Sequence, residues 1–130
     1  MDSLALGRHF LPCIEKMATR ISHLHCAMLC TPDGFNLCSL GLSEEQVGKM
    51  AALSSSLFSV GAAAVSSLSA MGNSAEGLDY LTLESHGLQI VTTQIPRPSG
   101  HLILMAGARA PLGVVLIGVK ATVADIQKLL

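Results

Sequence analysis

Six residues able to bind a soft metal fall between positions 13 and 38: Cys13, His23, His25, Cys26, Cys30 and Cys38. Thiolate and imidazole are the ligands zinc prefers, so a metal site is the first chemistry to weigh. The spacing argues against it. Residues 21–31 read as a strand rising about 3.3 Å per residue, which puts Cys26 and Cys30 roughly 13 Å apart. A tetrahedral zinc with bonds of about 2.3 Å to sulfur cannot hold both, and no Cys-x-x-Cys pair anchors an ion. The four cysteines therefore read as buried, reduced thiols acting as small hydrophobes. A link from Cys26 or Cys30 to Cys38 depends on a hairpin register that the sequence leaves open.

Nucleophilic and acid–base chemistry fare no better. The chain has Ser, His and Asp but no Gly-x-Ser-x-Gly elbow and no catalytic cysteine context. His86 sits beside Gly87 in a turn, and His101 reads as a strand start. Asp79 and Glu84 fall on opposite faces of one strand, the wrong arrangement for an acid–base pair. Gly107, Gly113 and Gly118 lack the Walker and dinucleotide spacings. Arg97 and Arg109 lie in loops, where a solvated arginine is the commoner reading than a finger for a partner's phosphate. The expectation is a chain with no catalytic residue, no metal site and no cofactor.

Composition turns attention to surfaces. The 130 residues read as one domain (1–130), long enough to bury a core. Net charge is −1 with 13% charged residues, and the basic residues are scattered singly, so nucleic acid is not an expected partner. Mean hydropathy is +0.54, high for a soluble chain. No charge interrupts residues 50–75, and 14 of the 20 residues from Ala51 to Ala70 are Ser, Ala or Gly. This stretch has the length to span a bilayer, but seven serines from Ser54 to Ser69 dilute it too far. Arg8, His9 and Pro12 break any secretory signal at the start, so a cytoplasmic location is expected. Excess apolar surface then points to self-association or a protein partner.

The elements that place these residues can be read in order. Residues 3–20 predict a helix, with Pro12 kinking it or starting its second half. Ile21 to Thr31 and Gly34 to Leu40 predict strands joined by the Pro32-Asp33-Gly34 turn. A long helix runs from Ser43 to about Met71, capped by Ser43 and stopped at Gly72-Asn73. Strands follow at Leu78–Glu84, Leu88–Ile95 and His101–Ala106, with 96–100 as a loop. Pro111 opens a last helix, although the β-branched run from Val114 to Val119 leaves a sixth strand as an alternative. The predicted fold is α/β of the α+β kind. A five-stranded, mainly antiparallel sheet has the long helix on one face and the terminal helices on the other.

Along the long helix, Val47, Met50, Ser54, Leu57, Gly61, Ala64, Leu68 and Met71 alternate at spacings of three and four, a narrow seam of small residues. Packing flat on the sheet is one use for it. A second contact against the same helix of another copy is the other, because sheet packing alone leaves an uncharged face unexplained. Leu78 to Glu84, if it lies at a sheet edge, would pair antiparallel with a second copy, the usual two-fold solution.

Several local motifs sit on these elements: Cys30-Thr31-Pro32-Asp33-Gly34-Phe35 at the first hairpin and Met50 to Leu57 in the Ala-rich helix. They continue with Leu88-Gln89-Ile90-Val91, His101 to Met105, and Leu112-Gly113 at the closing helix. In these residues and in element order the chain resembles the Roadblock family, the dynein light-chain type of domain, in a bacterial-type single-domain form. The resemblance covers roughly Pro12 to Leu130. It implies a homodimer whose third strands join into one sheet while the long helices pack together. It assigns Leu78, Tyr80, Thr82 and Glu84 to the strand interface and Leu53, Leu57, Val60, Ala64 and Leu68 to the helix contact. It further implies a non-catalytic scaffold that binds and regulates a small Ras-like GTPase or a related protein complex. The four cysteines and the nearly charge-free helix depart from the family pattern. The alternative reading is a small-ligand sensory module of GAF-like or profilin-like shape, which needs a deep apolar pocket between sheet and helix.

Overall fold

A computed structural model describes residues 3–68 and 78–130. The order is α1 (Ser3–Arg20), β1 (Leu24–Cys30), β2 (Asn36–Leu40), α2 (Glu44–Leu68), β3 (Tyr80–Ser85), β4 (Leu88–Arg97), β5 (Gly100–Ala108) and α3 (Leu112–Leu129). The five strands form one antiparallel sheet in the order β2-β1-β5-β4-β3, so the predicted fold class and element order both hold.

Alternation along the strands sorts side chains onto two faces. Ala27 and Leu29 of β1, Val91 and Ile95 of β4, and Leu102, Leu104 and Ala106 of β5 face α1 and α3. There they meet Phe10, Ile14, Met17, Val115, Val119 and Ile126 in the main core. Cys26, Met28, Cys30, Ile103 and Met105 face the other way, toward Ala51 and Phe58 of α2. The terminal helices are locked by Arg20, whose Nη2 lies 2.8 Å from Asp125 Oδ2. A close approach at Gly118 completes the contact, since a Cβ there would stand 2.3 Å from Ile21 Cγ1.

Several boundaries move from the sequence expectation, each for a local reason. α1 runs unbroken through Pro12. Ile21 ends that helix as a core residue instead of opening a strand, and β1 starts after His23, which turns the chain at φ 54°. α3 is helical across Val114–Val119, which removes the sixth-strand alternative. The predicted 96–100 loop shrinks to Pro98-Ser99, because Arg97 pairs with Gly100 and Gly100 takes φ +116°. Pro96 is tolerated inside β4 because its missing N–H would point to the side where β3 has already ended. At the start of α2, Ser43 and Gln46 form a reciprocal capping box: the Ser43 N–H donates to Gln46 Oε1 (2.9 Å) and the Gln46 N–H to Ser43 Oγ (3.2 Å). The predicted stop at Gly72-Asn73 and the seam residue Met71 lie outside the described residues.

Candidate functional site

The chemistry-bearing residues are settled first by geometry. Leu29 pairs with Cys38 and Cys30 with Asn36 across the β1–β2 hairpin, with a bulge between them. Cys26 and Cys30 point toward α2, whereas Cys13 and Cys38 lie in the opposite core. No cross-hairpin disulfide can form, and all four thiols are free and buried. Burial pushes the Cys30 and Cys38 thiols up to about 12 and raises those of Cys13 and Cys26 as well. Such thiols stay protonated and inert at neutral pH. Arg109 is engaged: its Nη1 donates to the His86 carbonyl (2.8 Å), buttressing the β3–β4 turn.

What the structure presents instead is the outside of α2. Only Ala51, Ser54 and Phe58 of its 25 residues are buried, a single stripe lying on the sheet. Ser55 Oγ donates to the Pro32 carbonyl, which ties the helix to the first hairpin turn. That turn is itself fixed, since Thr31 Oγ1 donates to Asp33 Oδ1 (2.6 Å) and accepts from the Phe35 N–H (3.1 Å). At about 100° per residue, Leu53, Leu57, Val60, Ala64 and Leu68 fall within an arc of roughly 80°, centred about 110° from the buried stripe. They are open to solvent: Leu53 52%, Leu57 41%, Val60 67%, Leu68 87%, with Ala64 exposed beside them. Contrary to the expectation from its serines, α2 is long and apolar enough by length and composition to cross a membrane, and 17% of its most apolar stretch is buried. The seam read from sequence is split here. Ser54 goes down to the sheet and Leu57, Ala64 and Leu68 go outward, while Phe58, set off the seam by spacing, is the buried anchor.

Beside this stripe runs β3, an edge strand. Tyr80 and Thr82 pair with Thr93 and Val91 and so face α3, where Tyr80 packs on the main core; Glu84 follows them on that face. Leu78 does not join them. It precedes the strand and packs under α2, where a Cβ on Gly61 would meet its Cδ1 at 2.5 Å, together with Leu81. The predicted four-residue face is therefore three residues plus one on the opposite side. Leu83, which the sequence reading did not assign to the interface, shares the α2 face with Leu81 and is 42% exposed. Its alternation with Leu81 was the available signal. Lys120 of α3, also missed, holds its Nζ 5.8 Å from the Tyr80 ring centroid; only tertiary packing brings these two together.

The two edges of the sheet are not equivalent. β2 carries a bulge and is backed by α1, so closely that a Cβ on Gly7 would lie 2.1 Å from the Leu37 carbonyl oxygen. β3 pairs regularly over its six residues without a bulge. Between α2 and the sheet, one cleft of about 280 Å3 is lined by His25, Cys26, Leu42, Met50, Leu53 and Ile90. A second of about 200 Å3 lies near Pro32, Ser55 and His101. Both fall short of the roughly 300–1,000 Å3 of ordinary small-molecule sites. A larger hollow of about 540 Å3 opens at the β3 end, by Asp79, Tyr80, Pro96 and Val123 of α3.

A long helix over one face of a five-stranded antiparallel sheet, two terminal helices over the other and an edge at β3 that no described residue backs define an α+β domain of a known type. Comparison with solved structures identifies the type as the Roadblock/LC7 fold. Similar structures are the Roadblock/LC7 domain from Streptomyces avermitilis (21% identity, TM-score 0.73, covering 90% of this chain and 93% of that one) and Myxococcus xanthus MglB (14% identity, TM-score 0.76, 95% and 88%). A third is MglB in a tetrameric arrangement (16% identity, TM-score 0.76, 95% and 89%). No protein-family profile matches the chain, and no curated protein matches it in sequence. At these identities the likeness is one of fold, and the resemblance carried by the sequence motifs extends to three dimensions.

Proposed function

We propose that this protein is a non-catalytic homodimeric scaffold that binds and regulates a small Ras-like GTPase. The observation that carries the reading is the solvent-facing apolar stripe Leu53, Leu57, Val60, Ala64 and Leu68 beside the edge strand β3, which no described residue backs. An uncharged helix face of this length is costly to leave in water and is suited to a protein surface of the same kind. The β3 edge offers backbone groups for strand pairing in the same direction. Homodimerisation uses both at once, with Tyr80, Thr82 and Glu84 at the strand junction and Leu78 supporting it from below. Likeness in fold to MglB, one form of which has a tetrameric arrangement, supports self-association. The GTPase is inferred from the family resemblance in the hairpin and helix motifs. The sensory alternative would draw on the hollow of about 540 Å3 beside α3, since the clefts between α2 and the sheet are smaller.

Sedimentation of the wild type and of Leu57→Glu tests the dimer. The wild type should sediment as a dimer at micromolar concentration and the variant as a folded monomer. A monomeric wild type removes the reading. Capture of small Ras-like GTPases loaded with GDP or a non-hydrolysable GTP analogue tests regulation, with preference for one state expected. Equal capture of both states leaves only a passive platform.

A further inference from the structure

Hydrogen-bond parity in β3 goes one step beyond the homodimer reading, on which it rests. His86 (φ 49°) and Gly87 (φ +84°) make a two-residue hairpin turn of the I′ kind. Ser85 and Leu88, which flank it, are therefore a hydrogen-bonded pair, and bonded pairs recur every second residue. Leu81, Leu83 and Ser85 direct their backbone groups to β4. Tyr80, Thr82 and Glu84 direct theirs to the outer edge, which pairs with no described residue. The β4–β5 turn gives an independent check: Arg97 pairs with Gly100 around two residues, so odd-numbered residues of β4 bond to β5 and even-numbered ones face β3. Beyond Tyr80 that leaves Gln94 and Pro96 facing outward, and Pro96 has no N–H to give. The pairing edge is thus confined to Tyr80–Glu84.

Only a few antiparallel registers pair an outward residue with an outward residue. With Thr82 on the two-fold axis, Thr82 meets itself and Tyr80 meets Glu84, for about six backbone hydrogen bonds. Moving the axis to Leu81 or Leu83 leaves about four. Charge selects the same register. Glu84 is exposed and has no ion-pair partner among the described residues, while exposed Lys120 sits over Tyr80. Placing Glu84 of a second copy opposite Tyr80 brings it to that ammonium. On the other face the same register sets Leu81 against Leu83 of the second copy, covering the exposed leucine.

We propose that two copies join at β3 with Thr82 on the two-fold axis, the register being selected by an ion pair between Glu84 of one copy and Lys120 of the other. Dimer dissociation constants of the wild type, Glu84→Lys, Lys120→Glu and the double variant, measured by sedimentation, test it. Each single reversal turns attraction into repulsion and should weaken the dimer about tenfold; the double variant should recover to within about threefold of wild type. Both side chains are exposed, so folding is unaffected, and circular dichroism checks this. As a second readout, Thr82→Cys should oxidise to a covalent dimer, because bonded pairs lie about 5.5 Å apart at Cα, within disulfide reach. Glu84→Cys, about 13 Å from its counterpart along the strand, should not. A dimer indifferent to the single reversals, unrescued by the double, or crosslinked at 84 and not at 82 overturns the register and leaves the dimer standing. A monomeric wild type overturns the dimer itself.

Discussion

Cys30 and Cys38 show how a residue type that suggests chemistry is turned into core by its surroundings. Both thiols are pushed up to about 12 by burial alone or with a neighbouring thiol. Unfolded cysteine ionises near pH 8.5, so above that pH the unfolded chain loses protons that the native chain keeps. The stabilisation is complete below the unfolded value and is lost as pH rises toward 12. Urea denaturation at pH 7 and pH 10.5 should show lower stability at the higher pH, with part of the loss removed in Cys30→Ala. A thiol reagent should find the four cysteines slow in native protein and fast in denaturant. Residue burial also explains why Phe58 and Leu57, adjacent in sequence, carry different expectations. Phe58 is 4% exposed, so Phe58→Ala should cost about 3–5 kcal/mol in chemical denaturation. Leu57→Glu should leave monomer stability nearly unchanged and act on association.

At the scale of elements, the long helix was legible in the sequence because its signals are local. The Ser43–Gln46 box, the early acids Glu44 and Glu45 and the absence of proline need only neighbouring residues. Its faces were less legible. Alanine and serine fit either a sheet or solvent, so spacing alone placed Ser54 and Leu57 in one seam that the sheet divides. The β4–β5 turn was misjudged for a related reason. Two prolines read as a loop, yet one occupies an outward edge position where a missing N–H has no consequence. The Leu57→Glu sedimentation experiment belongs at this scale, because it asks whether the outward stripe of α2 is a contact surface independent of the inward one.

For the whole molecule, the sheet has one edge guarded by α1 and one that no described residue covers. α1 closes against β2 at Gly7, and nothing among the described residues backs β3 in the same way. With the α2 stripe on one side and Tyr80, Thr82, Glu84 and Lys120 on the other, association at β3 would double the sheet and bring both apolar stripes to one face. The nucleotide dependence of GTPase capture is a prediction at this level. Leu57→Glu should weaken GTPase capture along with the dimer if the client binds the assembled surface. Capture unchanged in a monomeric variant would place the client elsewhere on the domain.

The sequence by itself determined the element order, the fold class and the Roadblock resemblance. Those depend on periodicity, capping and turn residues acting over a few positions. Tertiary structure alone decided that Leu78 sits opposite Tyr80, that Cys38 faces away from Cys26 and Cys30, and that Lys120 lies over Tyr80. It also decided which sheet edge is shielded. Each of these rests on register and on contacts between segments distant in the chain, where shifting by one residue reverses every face.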